Sequence, residues 1–134
     1  MNYLLRLSAC LLVLLSFNAK ALVINGCTIE PNTSCINANL SNQIFWDGDL
    51  SGANLYGANL SNSIFEISLS GAILDYTNLN NAFISEYSNL NGASLLNAFG
   101  QINTDGGYFI GAYLHDANLS GSYLDSVYFS NAPW

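Results

Sequence analysis

Ala38-Asn39-Leu40-Ser41-Asn42 returns, residue for residue, at Ala58-Asn59-Leu60-Ser61-Asn62, and Phe45, Leu50 and Leu55 keep the same beat between them. A period of five fits neither a helix, which repeats at 3.6, nor a continuous strand, which repeats at 2, so it marks an internal repeat. Calling the large residue of each unit i, that slot holds Leu, Phe or Ile at 17 places from Leu40 to Phe129. Slot i−2 holds Ala, Gly, Ser or Thr at 14 of those 17. In an extended segment i−2 and i lie on one side, so each unit points one small and one large residue inward. The two residues after i are mostly Ser, Asn, Asp or Gly, which suit a tight turn. A short strand and a turn, repeated, make a coil. One unit cannot stand alone: its large side chain returns roughly 1.5 to 3 kcal/mol on burial, while ordering each residue costs about 1.5. Stability has to come from stacked neighbours.

Residues 1–21 read as a cleaved secretory signal: Arg6 supplies the positive n-region, Leu7 to Phe17 the apolar run, and Ala19-Lys20-Ala21 an A-x-A cleavage site. The run is too short to span a bilayer. Leu7-Ser8-Ala9-Cys10 has the composition of a bacterial lipobox, but a lipobox follows its apolar run, and here Leu11 to Leu15 come after the cysteine. The expected mature chain is therefore exported, to the periplasm or the exterior of a bacterium, with no membrane attachment after cleavage. Its layout is a cap segment at 22–37 and repeats at 38–134. Cys27 and Cys35, an even pair in an exported chain, read as a disulfide that staples the start of the domain.

Cleavage also decides the charge. Arg6 and Lys20 are the 2 basic residues of the whole chain, so the mature form keeps 9 carboxylates and no Lys or Arg. Such a surface has nothing with which to neutralise phosphate, which argues against nucleic acid and anionic membranes as partners. The carboxylates look dispersed along the chain, as charges that keep a neutral surface soluble.

The units ANLSN, ANLYG and ANLSG, running over residues 38 to 131, resemble the A-(D/N)-L-x-x motif of the pentapeptide-repeat family. The resemblance implies an all-β fold, a right-handed, four-sided parallel β-solenoid with one pentad per side and about 20 residues per coil. Fewer than five coils at the usual strand spacing give a rod roughly 20 Å tall. Phe45 should then stack under Phe65, and Phe109 under Phe129. Asn39, Asn59 and Asn78 should form one outward ladder with amide bonds between coils. Phe65 to Leu69 is one residue short, Ile84 to Leu90 is one residue long at Tyr87, and Gly100 to Gly107 loses the motif, so a bulge or small loop is expected there.

Ile44, Ile64 and Phe83 fall at outward i−1 positions of one side, with Trp46 beside them, where the pattern elsewhere puts Asn or Ser. An outward apolar row reads as a protein-contact surface; the competing reading is that residues 22–36 fold over it and cover it. Tyr108, Tyr113, Tyr123 and Tyr128 are expected on successive sides, forming no single patch.

An enzyme needs convergent reactive groups, and the mature chain offers few. His115 beside Asp116 reads as a surface pair. Asp47-Gly48-Asp49 lacks the spaced ligands and closing Glu of a calcium loop, and Thr104-Asp105-Gly106-Gly107 is only a fragment of a calcium-binding repeat. No catalytic residue, cofactor or metal is expected. The family resemblance implies one alternative, since some members resemble a DNA duplex in width and charge and protect DNA gyrase, a topoisomerase. The signal segment argues against it by taking the chain away from cytosolic topoisomerases. The reading that remains is an exported scaffold or binding module that engages another protein or itself.

Overall fold

The computed structural model describes residues 22–46 and 48–134, so the expected signal segment, residues 1–21 with Arg6, Cys10 and Lys20, and also Asp47, lie outside the described residues. Within them the protein is all-β, without helices.

The motif explains itself once every backbone N–H of a pentad is followed to its acceptor. In the unit around Leu60, Ala58 donates to the Leu55 carbonyl across a corner (2.9 Å) and Asn59 donates to Ala38 O in the previous coil (2.9 Å). Leu60 and Asn62 donate to Asn78 O (2.9 Å) and Asn80 O (2.8 Å) in the next coil. The fifth, Ser61 N, is taken by the unit's own Asn59 Oδ1 at 3.2 Å. All five donors are satisfied, as a buried backbone requires. The Asn before Leu thus serves its own corner in the manner of an Asx turn, and Asn54, Asn78, Asn89 and Asn118 repeat the contact. The amide ladder expected between coils is correspondingly thin. Asn39, Asn59 and Asn78 do stack in register, but among these three only Asn59 Nδ2 to Asn39 Oδ1, at 3.5 Å, links neighbours.

The corner needs φ > 0 at i+2, and Asn42, Gly52, Gly57 and Asn62 supply it. At Gly52 and Gly57 the i+3 amides of Ala53 and Ala58 bond back to the Leu50 and Leu55 carbonyls, the geometry of a type II turn, which favours Gly or Asn at that position; past Asn42 the Gln43 amide is taken by Ser63 Oγ instead. Slots i−2 and i turn inward: Ala53, Leu55, Ala58 and Leu60 are fully buried.

Pairing runs in four columns up the molecule. Three are single bridges between successive coils: Asn39 to Asn118, Asp49 to Tyr128, and Ser34 to Tyr113. The fourth is a five-stranded parallel sheet of β3 (Ile44–Phe45), β4 (Ile64–Phe65), β5 (Ala82–Ser85), β6 (Ile102–Asp105) and β7 (Tyr123–Asp125), in that spatial order. This is the side whose i−1 slots carry Ile, Ile and Phe in the first three coils. Without an Asx oxygen to hold it, the Glu66 amide bonds instead to Phe45 O of the adjoining coil (2.8 Å), and the ladder lengthens into true strands. The core stacks follow the expected order. Phe45 lies on Phe65 with ring centroids 5.0 Å apart, and Phe109 on Phe129 at 5.1 Å.

The stretch from Gly100 to Gly107 is not the expected loop. It contains β6, paired in register with β5 over four residues, and the coil passes through it with unusual residues in the large slot. Gly100 stands above Leu79, where a Cβ would come within 2.4 Å of the Asn80 nitrogen. Thr104 follows Ile84 in the stack and spends its hydroxyl on the Tyr123 and Asp125 carbonyls at 3.3 and 3.1 Å. At residue 100 the motif is lost because not even a Cβ fits, and the coil continues.

A two-stranded antiparallel hairpin, β1 (Val23–Ile24) and β2 (Cys27–Thr28), precedes the coils. Its turn is Asn25-Gly26, both with positive φ (48° and 82°), the strongest short hairpin signal there is. The hairpin is tied to the first coil by the Cys27–Cys35 disulfide, with Cα atoms 5.3 Å apart, and by Asn25 Nδ2 donating to Asn39 O at 2.6 Å. The coil's ladder begins just beyond, where Asn32 N bonds Ser51 O.

Candidate protein-contact face

The strand column carries an outward row at its i−1 positions, Ile44, Ile64, Phe83, Asn103 and Tyr123, each in register with the next. The strands bring together the three apolar residues singled out from the sequence, and Trp46 projects one residue beyond β3. Ile44 is 61% exposed and Trp46 72%, while Ile64 and Phe83 are half-buried beside them. Residues 22–36 do not cover this row. The hairpin turns the other way, onto the Asn39 column, because the short loop closed by Cys27 and Cys35 holds it there.

The corner that follows this sheet is acidic. At the ends of the strands, successive coils place Trp46 and Glu66, each one residue past its strand, and Ser85, Asp105 and Asp125, each the last residue of its strand, in one line, with Glu86 next to Ser85. Glu66, Glu86, Asp105 and Asp125 are all exposed. Four of the eight described carboxylates therefore share one of four corners, a concentration that their spacing in the sequence disguised. The remaining four are scattered: Glu30 lies just past the hairpin, Asp49 heads its own column of bridges, and Asp75 and Asp116 stand elsewhere.

The extra residue Tyr87 stands out from this corner, and the next coil passes close beside the neighbouring Glu86 with two glycines. A Cβ on Gly106 would come within 2.9 Å of Glu86 Cβ, and both Gly106 and Gly107 hold positive φ (99° and 101°). The result is an open cleft of about 420 Å³ lined by Glu86, Tyr87, Asp105, Tyr108, Ser126 and Tyr128 around the glycines. Tyr108 and Tyr128 were expected on separate sides. Four pentads apart, they occupy the same column and stack with centroids 5.3 Å apart. The Glu86 carboxylate, first as hydrogen-bond acceptor and then as a neighbouring charge, raises the Tyr87 phenol above its ordinary pKa, with a smaller push from Glu66.

Elsewhere the candidate chemistry stays apart. His115 Nε2 lies 3.3 Å from Asp116 Oδ2 on open surface. Asp49 Oδ1 accepts the Ser51 amide at 2.8 Å, a corner contact like those of the asparagines. Among the described residues no group of three or more His, Cys, Asp or Glu is placed to hold a metal ion.

The family model for pentapeptide repeats matches residues 33–66 and 101–132, in eight copies. The unmatched stretch between them takes in the end of the short unit at Leu69 and the lengthened one at Tyr87. Among solved structures, the pentapeptide repeat protein Rfr23 from the cyanobacterium Cyanothece 51142 is similar at 37% identity and a TM-score of 0.61. That match covers 64% of this chain, and the chain spans 60% of that protein's length. HetL, a pentapeptide repeat protein involved in heterocyst differentiation regulation from Nostoc sp. strain PCC 7120, matches at 24% identity and a TM-score of 0.35, over 76% of this chain and 57% of its own. A pentapeptide repeat protein from the Arabidopsis thaliana thylakoid lumen matches at 25% and 0.37, over 74% and 64%. No curated protein matches the chain.

Proposed function

Because the chain belongs to the pentapeptide-repeat family, we propose that it works as an exported, non-catalytic scaffold or binding module, a right-handed solenoid that engages a protein partner or a second copy of itself. One observation carries this reading: the unbroken outward row Ile44, Ile64 and Phe83, flanked by Trp46, on the side where the motif otherwise places polar residues. A large aromatic among apolar neighbours with a polar surround is the composition favoured at binding hot spots. The non-catalytic part rests on the exposure and separation of the reactive groups: the corner carboxylates and the His115–Asp116 pair are open to solvent, and the histidine is not among the residues that line the cleft.

Export is tested by the intact mass of protein recovered from a bacterial periplasmic or culture fraction. The expected N-terminus is Leu22; a full-length mass, or a lipid adduct on Cys10, contradicts it. The contact face is tested by sedimentation and partner capture with the mature protein, Ile64→Glu and Trp46→Ala. Loss of self-association or of captured protein in both variants is the expected result. A monomeric wild type, together with variants that capture the same proteins as it does, leaves this face without a role.

A further inference from the structure

The apolar row is half of a larger surface. Its border on one edge is the corner line of Glu66, Glu86, Asp105 and Asp125, whereas the opposite edge, where Gln43, Asn62, Asn81 and Gln101 sit, is neutral. No Lys or Arg occurs among the described residues, so none of these carboxylates has an internal cation to pair with. The acidic line also runs into the tyrosine-walled cleft, where the Tyr87, Tyr108 and Tyr128 rings stand beside Glu86 and Asp105. Ring faces and carboxylates together favour ammonium and guanidinium groups.

Taking the contact-face reading above as its basis, we infer that this surface docks a basic amphipathic segment of a partner protein. The segment's apolar side chains lie on Ile64 and Phe83, and its Lys or Arg side chains lie along the Glu66–Asp125 corner, with one reaching the cleft. The charge asymmetry chooses this occupant over a second copy: in a face-to-face pair each acidic corner meets either another acidic corner or the neutral Gln and Asn edge, and in neither arrangement a Lys or Arg of the described residues, so its charge stays uncompensated. An anionic membrane is disfavoured for the same reason.

The test uses Trp46 as reporter in a Trp134→Phe background of the mature protein, titrated with synthetic peptides of equal length. The peptides alternate Leu with Lys, alternate Leu with Glu, or are oligolysine. The Leu/Lys peptide should blue-shift Trp46 emission and bind at least tenfold more tightly than oligolysine, with affinity falling as salt rises. Replacing the corner charges together, as Glu66→Gln, Glu86→Gln and Asp105→Asn, should weaken binding about tenfold or more. Removing the same number elsewhere, as Glu30→Gln, Asp49→Asn and Asp116→Asn, should change it less than threefold, with unaltered thermal melts for both sets. Equal weakening by the two sets reduces the effect to net charge and overturns the inference. So does oligolysine binding as well as the Leu/Lys peptide, or no response of Trp46 to any peptide. Preference for the Leu/Glu peptide, still abolished by Ile64→Glu, overturns the partner's charge while the contact face itself survives.

Discussion

Leu40 and Leu119 fill the same slot of the same column at opposite ends of the coil, in the identical setting Ala-Asn-Leu-Ser. Leu40 is fully buried and Leu119 only partly so. The difference continues around the two terminal coils: Phe45 and Leu50 are buried, whereas Leu124 is 36% exposed and β7 is exposed throughout. At the first coil, the next coil covers one side and the stapled hairpin the other, with Ile29 packed close enough to Gly48 that a Cβ there would touch it at 3.0 Å. The last described coil has the same motif and a neighbour on one side. In a stacked fold a residue's worth is set by what lies above and below it, more than by its own unit.

The most drastic way to break this comparison is a charge in the core slot. Leu55→Asp buries an unpaired carboxylate in a fully enclosed position with no Lys or Arg among the described residues, and should cost several kcal/mol, enough to unfold a marginal domain. Leu124→Asp, in the same type of slot but reaching water, should cost about 1 kcal/mol. Urea melts followed by circular dichroism separate the two, and equal losses would refute the end-to-middle gradient.

Removing the staple is a milder perturbation. Replacing Cys27 and Cys35 by Ala opens a loop of sequence separation 8 and should lower stability by about 2 to 3 kcal/mol in the chain-entropy model. The hairpin's hold on the first coil loosens with it, so amide exchange should quicken at Leu40 and Asn42 while that at Leu95 and Asn97 moves only with global stability. Uniform acceleration everywhere would mean that the hairpin is no cap.

The smallest effect is a titration. The folded protein keeps the Tyr87 proton more firmly than the unfolded chain does, so this contribution is present below the ordinary phenol pKa and is lost as pH rises through the raised folded value. Ultraviolet titration should show one phenol ionising later than the others, absent in Tyr87→Phe and returned toward the rest in Glu86→Gln. An unchanged curve in Glu86→Gln would remove Glu86 as the cause.

The five-residue period, the inward pair of small and large residues, the turn at i+1 and i+2, and the stacking of Phe45 on Phe65 were all legible in the sequence. Each rests on local rules, namely which side an extended residue faces and which residues tolerate positive φ, and local rules repeat when the sequence repeats. The Asn25-Gly26 turn was equally local, flanked by Val23-Ile24 and Cys27-Thr28, and its signal was there to be read. Only the tertiary structure decided the rest. That Gly100 and Thr104 continue the coil depends on the backbone of the coil beneath, which leaves no room for a larger side chain at residue 100. That Glu66 and Glu86 reach the corner of Asp105 and Asp125 depends on how a unit shortened after Phe65 and one lengthened at Tyr87 change the register of the coils between them, whereas Tyr108 and Tyr128, four regular units apart, stack for the same reason as Phe109 and Phe129. A one-residue change of length shifts every later residue along the path of the coil, and only the closed stack shows where each comes to rest.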